Sequence, residues 1–181
     1  MMTSIMLDRF RSAAPSCCAT QPATATTGAP QGTAVPIVRT IDYDPEGDDG
    51  SASRESPGEA ESKAAADGDP STGWSTESYR TREFGRLKSG VGLIFELDAV
   101  SQVSSLSITS PSVDWTAQVY VADAPPENFE GWGEPVTEFQ GDGTSPIEVQ
   151  FESRDAGAVL IWVTRLGEGA QVELSEVTIS S

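Results

Sequence analysis

The segment at residues 66–76, Ala-Asp-Gly-Asp-Pro-Ser-Thr-Gly-Trp-Ser-Thr, places oxygen donors, turn formers and one large aromatic ring within eleven positions. The Asp-Gly and Asp-Pro pairs favour turns, because glycine tolerates positive φ, proline fixes φ and aspartate accepts hydrogen bonds from nearby backbone. Such a loop directs its carbonyls, the Asp67 carboxylate and the Thr72 hydroxyl toward one point, which is the donor chemistry of a hard cation site. Trp74 is expected to point inward and anchor the loop in a core.

The rest of the chain supplies the strands that must carry this loop. Runs of β-branched or alternating apolar residues predict strands at 37–41, 91–97, 103–109, 116–121, 147–151, 159–164 and 172–179. Turn residues separate these runs at 111, 125–126, 141–143, 155–157 and 167–169. Apart from a short turn near 59–66, no window carries a helical pattern. Strands without intervening helices cannot form a parallel crossover sheet, so the sequence predicts an all-β, antiparallel β-sandwich with jelly-roll topology.

Composition divides the chain of 181 residues into two parts. Residues 1–36 are rich in Ala, Thr, Pro, Ser and Gly, with too few large apolar side chains to offset the entropy of ordering, which predicts a disordered tail or linker. Residues 37–181 are the predicted β-sandwich domain, long enough to bury a core without disulfides. Cys17 and Cys18 are adjacent in the tail and cannot link distant parts of that core.

The net charge of −17 and the pI near 4.1 restrict the partners. Nucleic acid is excluded as a partner, because phosphate recognition needs clustered Lys and Arg. Calcium or a neutral glycan suits this surface better than an anionic membrane, which it would repel. No run approaches the roughly 20 apolar residues of a membrane span, and the amino terminus lacks the apolar centre of a secretory signal. Alone, these features predict a soluble, unexported chain that does not insert into a membrane.

Catalytic arrangements are also restricted by composition. The chain has no histidine, and its two cysteines lie in the tail, which excludes a Ser-His-Asp triad, a Cys-His pair and a His-ligated zinc site. No Gly-rich phosphate loop is present. Among 28 acidic residues some carboxylate pair reaches glycosidase spacing by chance, so such a pair carries no weight. The sequence predicts a protein that is not an enzyme.

The Asp-Gly loop and the strands after it together resemble a known family. Residues 65–75 are similar to the pattern Ala-x-Asp-Gly-x-x-x-Thr-x-Trp-Ser of discoidin domains, also called coagulation factor five/eight type C domains, within the galactose-binding-like β-sandwiches. Residues 174–179 are similar to the family's Ile-x-Glu-Ile-x-Val ending. Core strands of the family correspond to 91–97, 103–108 and 158–163. The resemblance spans 37–181 and implies a galactose-binding-like jelly roll that binds ligands without catalysis.

A narrower resemblance comes from Asp-Pro-Glu-Gly-Asp at 44–48 and Leu-Lys-Ser-Gly-Val-Gly-Leu at 87–93. With the Asp-Gly loop, these segments resemble the extracytoplasmic C-terminal domains of actinobacterial lipid II flippase-like (MviN-type) proteins and of related kinase-like membrane proteins. This resemblance implies an extracytoplasmic or cell-surface location, with residues 1–36 as the tether from a membrane span. It therefore opposes the expectation of a soluble, unexported chain.

The discoidin resemblance also implies one structural calcium ion, carried over here to Asp67, Asp69, Thr72 and Glu176. Calcium takes six to eight oxygen ligands, so backbone carbonyls would supply the remainder. A metal-free turn, with Asp67 capping local amides and Glu176 simply exposed, is an equally weighted alternative.

The acidic turn after the first strand has the early spacing of an EF-hand loop, with Asp42, Asp44, Glu46 and Asp48. Its twelfth position is Ser53, and without the bidentate glutamate an EF-hand is not expected. The sequence predicts a solvated acidic turn, with a weak second cation site as the alternative.

Glycan recognition needs loop aromatics that stack on sugar faces and polar side chains that bind hydroxyls. The predicted ligand-binding residues are Tyr79, Arg80, Arg82, Trp115 and Trp132. Trp74 and Trp162 are expected in the core, whereas burial in the sandwich end is an open alternative for Tyr79, Trp115 and Trp132.

Function follows from these residues together with the resemblance. The prediction is a non-catalytic, extracytoplasmic carbohydrate-binding module for cell-wall glycan or its precursor. The alternative is a protein-interaction or regulatory ectodomain, with a membrane or cell-wall protein as its partner and without sugar binding. An aromatic-lined loop end with paired arginines favours the first, and a flat or charged loop end with Trp115 and Trp132 buried favours the second.

Overall fold

The computed structural model describes residues 32–47 and 59–181. These residues form one α-helix, α1 (Glu59–Ala64), two short 3-10 turns (Phe84–Arg86 and Phe129–Trp132) and the strands β1 (Ile37–Tyr43), β2 (Trp74–Ser75), β3 (Val91–Thr109), β4 (Trp115–Ala122), β5 (Thr137–Gly141), β6 (Ile147–Arg165), β7 (Glu173–Leu174) and β8 (Glu176–Ser180). All named strand pairs are antiparallel. The prediction of an all-β antiparallel fold is therefore confirmed, while residues 1–31 of the predicted tail lie outside the described residues.

The main sheet has the strand order β1-β3-β6-β4-β5, with β8 also paired to β3. Two very long strands, β3 and β6, lie at the centre of this sheet and have 19 residues each. The first half of β3 pairs with β1 and with the end of β6, whereas its second half pairs with β8 and with the start of β6. Register shifts in the β3–β6 ladder lie between these halves, and such irregularities bend strands. Both strands thereby pass from one layer of the sandwich to the other.

The strands correct four sequence predictions. The runs 91–97 and 103–109 belong to one strand, and so do 147–151 and 159–164. The segment 155–157 is not a turn but extended backbone inside β6, where Ala156 lies opposite Ser101. The run 172–179 is divided at Ser175 into β7 and β8.

A hydrophobic core fills the sandwich, and a second aromatic cluster covers the outer face of the sheet. In β6, Val159, Ile161 and Val163 point into the core between the layers, while Leu160 and Trp162 alternate onto the outer face. A short turn, Phe129–Trp132, lies over that outer face and buries it. Burial on both faces explains why this strand reads as a continuous apolar run.

The strand pairing extends to residues before β1. The Val35 N–H donates to the Ile179 carbonyl at 2.8 Å, and the Ser181 N–H donates to the Thr33 carbonyl at 3.1 Å. Residues 33–35 therefore run alongside β8 and cover its free edge, although composition places them in the tail. Covering an edge in this way protects it from pairing with another chain.

Candidate functional site

The Asp-Gly loop is held by its own hydrogen bonds and by the core. Asp67 Oδ1 accepts from the Asp69 N–H at 2.8 Å, and the Thr72 N–H donates to the Asp69 carbonyl at 3.1 Å. Gly68 has φ of +84°, which glycine adopts without strain. Trp74 is fully buried, as the sequence predicts. The loop is thus fixed at both ends, because the Ala65 carbonyl also accepts from the Val177 N–H at 2.7 Å.

Three of the four predicted calcium ligands meet in this loop. Glu176 Oε2 accepts from the Gly68 N–H at 2.9 Å, and Asp67 Oδ2 accepts from the Thr72 hydroxyl at 3.0 Å. Asp69 instead turns toward Ser71, whose hydroxyl donates to Asp69 Oδ1 at 2.6 Å. In residues 32–47 and 59–181, no three His, Cys, Asp or Glu side chains are grouped closely enough to hold a metal ion. Calcium binding therefore stays a prediction.

Electrostatics nevertheless suit a cation at this loop. Partial burial raises the pKa of Glu176, and the neighbouring Asp67 and Asp69 charges raise it further, although the Gly68 N–H opposes the shift. The pKa of Asp69 is lowered by its hydrogen bonds from Ser71. Carboxylate and hydroxyl oxygens are the donor type that calcium takes, so Asp67, Thr72 and Glu176 suit this ion by chemistry, although the described residues do not group three carboxylates around one point.

Part of the acidic turn is buried, which corrects the prediction of a solvated turn at Asp42 and Asp44, whereas Glu46 is exposed. Asp42 and Asp44 are buried, and the Lys88 ammonium, itself 8% exposed, forms an ion pair with Asp44 Oδ2. Glu46 Oε2 accepts from the Ser89 N–H at 3.1 Å. Lys88, from a distant segment, thus supplies positive charge to Asp44. The sequence alone had left a cation site open at this position. Asp48, the remaining residue of the proposed second cation site, lies outside the described residues.

Two of the predicted ligand-binding aromatic rings are inaccessible. Trp115 is 0% exposed and packs edge-on against Phe139, with ring centroids 5.4 Å apart. Trp132 is 4% exposed and lies against Tyr43 in the outer-face cluster. Neither ring offers a free face to a sugar, because each fills a gap between sheet and loop. Both therefore belong to the core in this structure, as does Trp162.

Tyr79 is half-buried and serves as a support. Its ring meets the buried Phe84 edge-on at 5.1 Å between centroids, and its hydroxyl lies 3.0 Å from Lys88 Nζ. The Lys88 ammonium also lies 5.4 Å from the centre of the Tyr79 ring, within cation–π range. Tyr79 therefore links the Asp44–Lys88 pair to the loop that follows it.

The predicted arginines lie at one end of the sandwich. Arg82 donates from Nε to the Leu166 carbonyl at 2.9 Å and from Nη1 to Asp114 Oδ2 at 2.7 Å. Arg165, which sequence reasoning missed, donates to Asp114 Oδ1 at 3.2 Å. Both guanidinium groups lower the pKa of Asp114. Arg80 is exposed and makes no ion pair within the described residues.

An unusual turn follows these arginines. Phe84, Gly85 and Arg86 have φ of +52°, +63° and +64°, so three consecutive residues adopt the left-handed region. Phe84 is buried, whereas Arg86 is exposed and Leu87 is 74% exposed. A left-handed Phe or Arg costs about 1–3 kcal/mol, and such strain is most often found at functional sites.

An open depression of about 440 Å³ lies at the same end of the molecule. Three acidic residues, Asp114, Asp142 and Glu168, line it together with Val113, Gln140 and Gly141. Trp115 and Gly141 lie beneath it, and Gly141 has no room for a side chain because a Cβ would lie 1.9 Å from Trp115 Nε1. The loop end is therefore charged and lacks a stacking aromatic ring. No helix in the described ranges is long and apolar enough to cross a membrane.

No protein-family model matches the chain. Several solved carbohydrate-binding modules are similar in structure. The module titled CBM32 of AlyQ in complex with 4,5-unsaturated mannuronic acid gives a TM-score of 0.58 at 15% identity, covering 81% of this chain and 97% of that one. A longer AlyQ protein with CBM32 and alginate lyase domains gives 0.59 at 15% identity, and the chain spans only 33% of its length while 82% of this chain is covered.

Two further modules show the same fold. A pectin-binding carbohydrate-binding module gives a TM-score of 0.56 at 16% identity, with 81% of this chain and 92% of that chain covered. The CBM32-1 and CBM32-2 domains of Clostridium perfringens ZmpB in complex with GalNAc give 0.59 at 14% identity, with 82% and 34% covered. These similarities confirm the predicted jelly-roll β-sandwich of the galactose-binding-like type.

Proposed function

We propose that the chain is a non-catalytic carbohydrate-binding module. The observation that carries this proposal is that its jelly roll covers 97% of an isolated carbohydrate-binding module of similar structure. Its loop end supports the proposal, because the open depression there has amide, carboxylate and guanidinium groups within one surface. Such groups bind and orient sugar hydroxyls. We assign the ligand site to this end of the sandwich, where Arg82 is bound to Asp114 in the wall of the depression and Arg80 belongs to the same segment of the chain.

The finer part of the proposal is that the module acts outside the cytoplasm on cell-wall glycan or its lipid-linked precursor. It rests on the resemblance of 44–48 and 87–93 to the MviN-type domains. The contacts of Asp44 with Lys88 and of Glu46 with Ser89 support it, because they join these two segments in space. Residues 44–47 and 87–93 thus form one structural unit, which explains why the two segments occur together.

The full chain should be retained on insoluble glycan, and the test is a pull-down on purified peptidoglycan, cellulose, chitin and insoluble pectin. Retention on any of these supports a glycan-binding module, and retention on peptidoglycan supports the finer proposal. No retention on the whole panel, from a sample with a cooperative thermal transition, would contradict carbohydrate binding.

A protein partner is the second candidate, and a specific observation favours it. Trp115 and Trp132 are buried and the loop end is charged, so neither ring is left to stack on a sugar, which matches the expectation for the protein-interaction alternative. Pull-down of a membrane or cell-wall protein by the chain, in the absence of any glycan retention, would favour this candidate.

We further propose that the Asp-Gly loop binds one structural calcium ion through Asp67, Thr72 and Glu176, with Asp69 supplying a backbone carbonyl. When bound, the ion would neutralise the adjacent carboxylates and fix the loop to β8. At a calcium concentration about 100-fold above Kd, binding adds about 2.7 kcal/mol, which corresponds to a rise in Tm of roughly 5–10 °C. Differential scanning calorimetry with calcium and with chelator measures this rise.

Glu176→Gln separates the calcium site from a metal-free turn. A Glu whose folded pKa is raised contributes stability below its unfolded pKa, and this is lost as pH rises through the folded pKa. At pH 7 and without calcium, Glu176→Gln should therefore be at least as stable as the native chain, while the calcium response disappears. Glu152→Gln, at a side chain 86% exposed in β6, should keep the full response. An unchanged response in Glu176→Gln would contradict the site.

A further inference from the structure

Positive charge is concentrated in one short segment of this acidic protein. Residues 80–88, here called the basic turn, contain Arg80, Arg82, Arg86 and Lys88, which are four of the 11 basic residues of the chain. With Glu83 as the one acidic side chain, the turn carries a formal charge of +3 in a chain of −17. Asp44 and Asp114 balance two of these positive charges in space, so Arg80 and Arg86 are the cations of the turn that can meet an anionic group.

The four cations of the basic turn have two different roles. Arg82 is bound to Asp114 and to the Leu166 carbonyl, and Lys88 is buried against Asp44. These two therefore fix the turn to the sandwich. Arg80 and Arg86 are exposed and form no ion pair within residues 32–47 and 59–181, so their guanidinium groups face solvent.

The backbone of the turn fixes where Arg86 and Leu87 lie. Buried Phe84 packs against Tyr79, the Arg86 N–H donates to the Glu83 carbonyl at 2.8 Å, and the Leu87 N–H donates to the Phe84 carbonyl at 3.1 Å. These bonds hold Arg86 in a left-handed conformation that a non-glycine residue rarely adopts. Leu87, the next residue in the chain, is consequently 74% exposed. An apolar side chain held in water next to a cation costs solvation without serving the core.

We infer that the basic turn binds a carboxylate-bearing glycan, which rests on the proposed function and names its ligand class. Arg80 and Arg86 would each receive a sugar carboxylate through the planar guanidinium fork, which matches carboxylate geometry. Leu87 would contact the apolar face of the same ring. The acidic remainder of the surface would repel the polymer elsewhere and confine it to this turn.

The test compares polygalacturonate with neutral dextran and galactan, using calorimetric titration of the full chain. Polygalacturonate should bind, with an affinity that falls as salt rises from about 50 to 300 mM, because exposed charges are screened. Arg86→Gly should weaken binding by roughly tenfold or more, the effect of one lost charge-assisted contact. Its Tm should not fall, since glycine relieves the left-handed conformation. Arg80→Gln should weaken binding similarly.

Arg154→Gln is the matched control, because it removes one positive charge from an exposed side chain of β6 outside the basic turn. It should leave the affinity within about twofold of that of the native chain. Binding of neutral glycans with equal or higher affinity, or equal weakening in Arg154→Gln, would overturn the inference and leave the proposed function intact. No binding to any glycan would overturn both, and binding to polyphosphate but not polygalacturonate would replace the carboxylate with a phosphate.

Discussion

Replacing Asp44 by Ala should lower the free energy of unfolding by about 3–5 kcal/mol, because it removes one side of a buried ion pair. The side chains of Asp44 and Lys88 are 1% and 8% exposed, so water cannot replace the lost carboxylate without opening the structure. The Tyr79 hydroxyl, 3.0 Å from Lys88 Nζ, is neutral and does not replace the charge of Asp44. Urea denaturation of the native and variant chains, with the slope compared as well as the midpoint, measures this difference.

A double-mutant cycle provides the control for this ion pair. Lys88→Met keeps most of the side-chain volume and removes the charge, and Asp44→Leu with Lys88→Met replaces the pair by apolar groups. The double variant should be more stable than Asp44→Ala, because burial of two apolar side chains carries no unpaired charge. Removing the exposed Arg154–Glu152 pair should change stability by less than about 1 kcal/mol. A loss in Asp44→Ala no larger than this would show that Lys88 is not buried in solution.

The same ion pair connects stability to the proposed ligand surface. Lys88 ends the basic turn, and Asp44 follows β1, so the pair fixes one end of the turn to the sheet. The Arg82–Asp114 contact fixes the beginning of the basic turn to the loop before β4. The left-handed residues between these two anchors have no freedom to relax, which explains how the strain at Phe84 and Arg86 persists.

Local patterns were sufficient to predict the fold class from the sequence. Apolar runs located β1 and β4 and the two ends of β3 and of β6, and the Asp-Gly loop ended in a buried Trp74 as expected. Predictions failed where the determinant was not local. The Asp-Ala-Gly segment at 155–157 has turn composition, yet pairing with Ser101 and Gln102 keeps it extended. The polar edge strand β5, Thr-Glu-Phe-Gln-Gly, gave too weak an alternation to be recognised.

The candidate site was less predictable than the fold, because its contacts join residues far apart in the chain. Nothing near Asp44 in the sequence indicates that Lys88 would neutralise it, and nothing near Arg82 indicates Asp114 and Arg165. Charge density along the chain was the one available signal, since four basic residues in the basic turn are unusual in a chain of −17. Aromatic residues were ambiguous, because a ring in a loop serves a ligand or a core with the same sequence pattern.

Trp115 distinguishes these two roles by experiment. Trp115→Ala should destabilise the fold by about 3–5 kcal/mol, since the ring is fully buried and packed edge-on against Phe139. It also removes the hydrogen bond from Trp115 Nε1 to the Ser112 carbonyl, 3.2 Å long. Trp115→Phe should cost less, because an aromatic ring still meets Phe139. Thermal unfolding of both variants measures the difference.

Leu87→Ser is the matched control at an exposed position of the same end. Its stability should change by less than about 0.5 kcal/mol, because Leu87 is 74% exposed and contributes little to the core. Its glycan affinity should nevertheless fall, whereas Trp115→Phe should retain the affinity of the native chain. A Trp115→Ala variant of native stability that had lost glycan binding would place Trp115 in the ligand site instead. The two readouts separate a ring that supports the loop end from a side chain that contacts the ligand.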